Sequence, residues 1–418
     1  MKQNERVILF LLSALNFTHI LDFMIMMPLN IYLMPYFHIS AKEFSFLVSA
    51  YTFSAAFSGL LASLFVDRFD RKRVLLVGYI GFLVGTVACG IAPRYELLLT
   101  ARIFAGLFGG LIGAQVLSII SDLFTYENRG KAVGAVMSAF AVASTLGVPF
   151  ALFLTNRFSW HAPFILIGVL GLLLIPFLMR FIPPMSQHIL PVDERKSPFH
   201  SIKNAVVHSK VRLALLFSFL VMAGHFIIIP FINPYMVYNN HYSKEATPII
   251  YLVGGIASFL AALVLGKVSD IYGKLNVFVI CMLLSLPFIL AITHITGLQF
   301  WIMLMLFAIW FIASTGRSVT AQAMVTNTVP QNQRGGFMSL NSSVQQLGIS
   351  FGSLASGFIV IENEDKTIEH YGWLGYMSVG ILVCSLLIGK YLFNNKDKET
   401  MELVASTKGE APATDDVN

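Results

Sequence analysis

The sequence predicts an all-α membrane protein, with twelve transmembrane helices in two pseudo-symmetric six-helix bundles. Three observations predict it. Of 418 residues, 56% are hydrophobic and 12% charged, about half the roughly 25% charged residues of a globular chain. Apolar runs long enough to cross a bilayer recur from one end of the chain to the other. Lastly, charged residues in the loops repeat at one offset: Asp67 and Asp270 stand 203 positions apart, Arg129 and Arg334 205. A shared offset argues for a duplicated six-helix unit, a parallel repeat about an axis along the membrane normal.

The apolar segments lie near 7–36, 43–66, 73–92, 97–124, 131–154, 162–183, 211–238, 247–266, 275–295, 298–326, 336–361 and 372–394. They divide the chain into an N-terminal bundle (1–183), a polar linker (184–210), a C-terminal bundle (211–394) and a tail (395–418). The tail is rich in charge and small residues and is expected to be disordered. The first run is too long for a cleaved leader and lacks a small-residue cleavage site, so it reads as a retained helix. Cys89, Cys281 and Cys384 are odd in number and lie in apolar segments, so neither a disulfide framework nor a metal site is implied. With both termini and every second loop on one side, 21 Lys and Arg fall there, and only Lys42, Arg94, Arg157, Lys244 and Lys366 fall opposite. The positive-inside rule then makes both termini and the linker cytoplasmic. The net charge of +6 therefore reflects membrane orientation and is no nucleic-acid signal.

Asp22 is the one acid in the interior of any span. It lies roughly 22 Å along a helix rising about 1.5 Å per residue, close to the bilayer centre. A carboxylate there costs several kcal/mol unless paired, hydrated or protonated, and such residues mark ion or substrate pathways. His19 and Asn16 precede it by successive turns, giving one polar face directed into the protein. A carboxyl group that takes a proton in one facing state and releases it in the other is what a proton-coupled carrier needs; the alternative is a fixed structural network. Arg102 and Arg317 are the basic residues inside spans. Arg102 is the natural partner of Asp22, or else snorkels to the headgroups. Arg317 has no acid in any span of its own half. It binds an anionic or polyhydroxyl ligand through its planar fork, pairs with Asp22, or caps backbone carbonyls.

His225, near mid-membrane like His19, is a second candidate proton relay, with a neutral hydrogen-bonding role as the alternative. Asn233, Gln115, Asn341, Gln345 and Gln346 either contact substrate or tie helices together. Gly106, Gly109, Gly110 and Gly113 have the spacing for close helix packing. Gly147 and Pro149 are placed to bend the fifth helix.

The loop after the second helix, Asp67-Arg68-Phe-Asp70-Arg71-Lys72, and its counterpart Gly266-Lys-Val-Ser-Asp270-Ile-Tyr-Gly273-Lys274 resemble the G-x-x-x-D-R-x-G-R-K signature of the major facilitator superfamily. Ser63 and Asp70 stand in the first copy where glycines are usual. Arg102-Ile-Phe-Ala105-Gly106 resembles the family's R-x-x-Q-G motif with alanine for glutamine. Leu146-Gly147-Val148-Pro149, with Phe158-Ser-Trp160 after it, resembles the motif of its exporters. Asp22 followed by Pro28 is similar to the bacterial drug and sugar-efflux branch.

The resemblance implies that Arg102 takes part in proton coupling and that the bend at Gly147 and Pro149 seals the cavity against proton leak. It also implies that Asp67 locks the cytoplasmic side at a neighbouring helix start. Arg71, Asp122 and Arg129 would complete that gate, and Asp270, Gly273 and Lys274 would repeat it. No phosphate loop or catalytic signature is present. The expectation is a secondary carrier, not an enzyme, without cofactor, monomeric in the inner membrane, exchanging protons for an exported small organic solute. An importer of an anionic nutrient or metal-chelate is the alternative, and a non-transporting sensor a weaker one.

Overall fold

The computed structural model describes residues 3–65, 68–186, 208–329 and 334–407. Among these residues twelve long helices follow one another. In the N-terminal half these are α1 (Gln3–Ile25), α2 (Ala41–Phe65), α3 (Arg71–Gly90), α4 (Tyr95–Leu123), α5 and α6 (His161–Phe181). Here α5 comprises Tyr126–Val142, a π-helical turn Ala143–Gly147 and Val148–Arg157. The C-terminal half holds α7 (Ser209–Phe226), α8 (Thr247–Tyr272), α9 (Lys274–His294), α10 (Phe300–Thr326), α11 (Arg334–Ile359) and α12 (Tyr371–Thr407).

Among the described residues, eleven helices are long and apolar enough to cross a membrane. The twelfth, α11, carries Asn341, Gln345, Gln346 and several serines, which lower its hydropathy. It packs along α2, so that polar face meets protein.

Local sequence explains several boundaries. Pro28 lacks a backbone donor, and the first apolar segment is two helices, α1 and a short Asn30–Phe37, not one span to residue 36. The seventh segment breaks likewise after Phe226, where Pro230 and Pro234 divide 227–239 into short turns. Ser40 and Glu43 form a capping box at the start of α2, the Ser40 amide donating to Glu43 Oε2 at 2.8 Å and the Glu43 amide to Ser40 Oγ at 3.3 Å. Asp70, standing where glycine is usual, caps α3 by accepting from the Arg73 amide at 2.9 Å. Gly273, with φ 90°, supplies the turn between α8 and α9 that a side chain resists.

The tail departs from expectation: α12 continues past residue 395 to Thr407. Its sequence there, Asn-Lys-Asp-Lys-Glu-Thr-Met-Glu-Leu, consists largely of good helix formers.

Two helix pairs join the halves, α2 with α11 and α5 with α8. Glycine allows both contacts. A Cβ on Gly357 would lie 2.3 Å from Ser45 Cβ, and one on Gly255 would lie 2.4 Å from Thr145 Cα, in the π-helical turn of α5. Inside the N-terminal half, Gly106 and Gly110 press α4 onto the backbone of α2 at Tyr51 and Ala55. A Cβ on Gly113 would meet nothing within 4 Å among the described residues, so the tight seam does not extend to it.

The end of the bundle opposite the described termini is closed by a reciprocal contact. Asn30 donates to the Pro230 carbonyl, and Asn233 donates to the Pro28 carbonyl at 2.6 Å. Each proline leaves its helix broken, and the asparagine of the other half reaches a carbonyl at that break. Phe44 packs on Phe231 at 6.2 Å, and Lys244 stands 5.6 Å over the Tyr32 ring.

Candidate functional site

Asp22 and Arg102, far apart in sequence, meet inside the N-terminal half. Arg102 Nη1 lies 2.8 Å from Asp22 Oδ2, with both side chains fully buried. Two of the three pairings open to Asp22 and Arg102 are thereby excluded in this structure: Arg102 does not snorkel outward, and Asp22 does not pair with Arg317. The Tyr51 ring of α2 covers the guanidinium, 4.2 Å from its carbon, a contact strengthened by exclusion of water. Thr86 and Cys89 on α3 adjoin the carboxylate and the guanidinium. His19 is partly exposed, its ring 5.3 Å from Phe82 and 6.5 Å from Tyr51. A Cβ on Gly109 would lie 2.8 Å from Tyr51 Oη and 3.0 Å from His19 Nε2, so glycine leaves those two polar atoms a shared pocket.

A second centre lies in the C-terminal half. Arg317 on α10, fully buried, donates through Nη1 to Ser285 Oγ at 3.1 Å and through Nη2 to His225 Nδ1 at 3.2 Å. Because the guanidinium can only donate, His225 accepts at Nδ1 and carries its proton on Nε2. Met282 Sδ lies 3.9 Å away, and the His225 ring lies 5.3 Å from Trp310.

Other sequence-predicted residues are distributed around these centres. Asn16 donates to the Val136 carbonyl of α5 at 3.2 Å, and Asn233 belongs to the closed end, so both tie helices together here. Gln345 donates to Gln322 at 3.0 Å. Gln115 and Asn341 are buried, and Gln115 Oε1 and both polar atoms of Asn341 have no hydrogen-bond partner among the described residues. Gly147 and Pro149 flank the end of the π-helical turn in α5, and a Cβ on Gly147 would lie 2.8 Å from Leu21 Cδ1.

Near the termini, Arg71 Nε pairs with Asp122 at 2.7 Å. Asp270 pairs with Lys274 at 3.2 Å across Gly273. Asp67 and the Arg129 side chain lie outside the described residues. Lys72 is not the freely solvated charge its loop suggests: its Nζ donates to the Met179 carbonyl at 2.7 Å.

Sequence reasoning missed Asn30, Tyr51 and Ser285. Asn30 had a usable signal, since Pro28-Leu-Asn30 and Pro230-Phe-Ile-Asn233 recur at nearly the offset of the loops. Tyr51 and Ser285 had none, because their roles exist only through arginines on other helices.

Two six-helix halves of long apolar helices, each enclosing a buried arginine centre, have the architecture of a polytopic membrane protein. The sequence profile of the Major Facilitator Superfamily matches residues 12–231 and 214–415. The chain belongs to that superfamily, in the branch that includes drug and sugar-efflux carriers. It is 26% identical over 369 residues to the uncharacterized MFS-type transporter YceJ of Bacillus subtilis (strain 168), covering 88% of this chain and 91% of the relative. It is 22% identical over 387 residues to Multidrug resistance protein 2 of the same organism, covering 90% and 95%. Its fold matches a crystal structure of the nucleoside transporter NupG (D323A mutant) with a TM-score of 0.73 at 15% identity, covering 92% of this chain and all of that one.

Proposed function

We propose that this protein is a proton-coupled antiporter that exports a small organic solute from the cell by alternating access. The observation that carries the reading is the fully buried Asp22–Arg102 pair. A lone ion in hydrocarbon is expensive, and breaking a buried pair costs about 3–5 kcal/mol. A proton arriving at Asp22 neutralises the carboxyl group and releases its hold on Arg102. The guanidinium then keeps only the Tyr51 face and the groups of α3, and the half-bundle gains a reason to change its packing. Coupling arises because protonated and deprotonated Asp22 favour different facing states.

In this scheme Asp22 is the proton site, Arg102 its switch, and His19, the partly exposed neighbour, a relay. The termini face the cytoplasm of a cell-membrane monomer, and the Asn30–Asn233 closure lies on the external side. Asp67, Arg71, Asp122 and Arg129, with Asp270, Gly273 and Lys274, form the cytoplasmic gate. The bend at Gly147 and Pro149 shapes the seam between α5 and α8 that must slide as the halves rock.

The test uses purified protein in liposomes that are acidic inside and loaded with a pH-sensitive dye. A panel of anionic, neutral and cationic solutes is added outside. Proton efflux driven by one class of solute and reduced to background by Asp22→Asn is the expected result. Efflux undiminished in Asp22→Asn assigns the acid a structural role and overturns the reading. A second reading, import of an anionic solute with protons, is favoured by the absence, among the described residues, of an acid paired with Arg317. The sign of solute accumulation under an imposed proton gradient separates the two.

A further inference from the structure

The two arginine centres are built alike. In each half the arginine comes from the fourth helix, reaches a side chain on the first helix, and lies beside a hydroxyl residue and a cysteine of the third. Asp22 and His225 stand 203 positions apart, the offset that relates Asp67 to Asp270. One element of the plan is missing. Where Arg102 meets a carboxylate, Arg317 meets an imidazole, and no salt bridge to Arg317 occurs among the described residues.

The surroundings of Arg317 supply donors instead of charge. Trp310, Ser314 and Arg317 follow one another at spacings of four and three, so they share one face of α10. All three are buried, and Trp310 Nε1, Ser314 Oγ and Arg317 Nε have no hydrogen-bond partner among the described residues. Indole and guanidinium nitrogens only donate. Burying such groups unsatisfied is costly, and a row of donors around a cation is satisfied best by a group that only accepts and is negatively charged. His225 is the partly exposed member of the cluster, and Arg317 is fully buried beside it.

We infer that the Arg317 centre is the docking point for an oxyanion, a carboxylate or phosphate carried by the transported solute. The anion takes the place of His225 on Arg317 Nη2 and accepts from Trp310 Nε1 and Ser314 Oγ. The solute thus brings the acid that the Arg317 centre lacks among the described residues. This rests on the reading of the chain as a carrier whose solute meets Arg317, and it holds for either direction of transport.

Binding is tested at equilibrium, without a gradient. The melting temperature of the purified full-length protein in detergent is measured in acetate, benzoate, citrate or phosphate. Controls are chloride at equal ionic strength and pH, and acetamide and benzamide as neutral counterparts. The expected result is stabilisation by at least one oxyanion over chloride and over the amides, on the order of 5 °C at a concentration about a hundredfold above its Kd. Arg317→Gln abolishes the response and Arg317→Lys retains part of it. His225→Asp supplies the missing acid internally, so it melts higher than wild type without ligand and no longer responds.

If no oxyanion stabilises the wild type beyond chloride, or if Arg317→Gln responds as wild type does, the inference is overturned. The proton assay fails or succeeds separately. A protein that binds oxyanions through Arg317 but moves no protons loses the antiport reading and keeps this one. A protein whose Asp22-dependent proton flux is driven only by neutral or cationic solutes loses this one alone.

Discussion

The N-terminal arginine centre holds its own counter-ion, whereas the C-terminal one has none among the described residues. Arg102 has a counter-ion at 2.8 Å and an aromatic face at 4.2 Å. Arg317 has a hydroxyl at 3.1 Å and an imidazole at 3.2 Å. A similar plan, with Asp22 in one half and His225 at the matching position of the other, yields two different centres. A paired carboxylate is switched by a proton, which removes its charge in place. A cation held only by neutral groups, as Arg317 is by Ser285 and His225, can be switched by a ligand that brings charge to it. On the proposed reading, the difference between Asp22 and His225 divides the labour of the two centres. At the closed end the halves still match, with Asn30 on Pro230 and Asn233 on Pro28.

The largest expected effect breaks the N-terminal centre. Asp22→Asn leaves Arg102 buried without a counter-ion and destabilises the protein by about 3–5 kcal/mol. His225→Ala removes only a hydrogen bond to a charged group, about 1.5–3 kcal/mol. Thermal melting of both variants in one detergent checks the order, and equal losses would dissolve the distinction between the centres.

Next, Tyr51→Leu removes the face over Arg102 and costs about 2 kcal/mol, whereas Tyr51→Phe keeps the ring and stays near wild type. A similar loss in both would assign Tyr51's contribution to its hydroxyl beside His19 and Gly109.

The closed end should behave symmetrically. Asn30→Ala and Asn233→Ala each cost about 1 kcal/mol, and their equality can be read from the same melting experiments. A marked inequality would show that the halves have diverged there too.

The smallest effect belongs to the charged pairs near the termini. Asp122→Asn loses at most about 1 kcal/mol, because its pair with Arg71 is partly shielded, and Asp270→Asn about 0.3–0.5 kcal/mol, as for an exposed i,i+4 pair. Raising salt shrinks both.

Much of this organisation was legible in the chain. The spans, the repeat and the importance of Asp22, Arg102 and Arg317 follow from transfer energetics alone, because an ionisable group within a long apolar run needs a reason to be there. Helix breaks inside the first and seventh segments were less legible. Hydropathy continues smoothly through Pro28 and Pro230, and a bilayer-length window counts apolar atoms, not missing backbone donors. The end of α12 shows the converse error, where a charged composition concealed a run of helix formers.

What the sequence determined by itself was therefore everything that depends on one segment at a time: which stretches enter the membrane, where a charge is expensive, and that the chain repeats. Which partner each charge finds was decided only by the tertiary structure. By any rule of spacing Asp22 could reach Arg102 or Arg317, and Arg102 could instead reach the headgroups. The choice among them was made by the packing of α4 on α2 through Gly106 and Gly110 and by the placing of Tyr51 between those helices. Pairing energy in low dielectric falls steeply with separation, so it is settled by ångström-scale helix contacts that no linear pattern encodes.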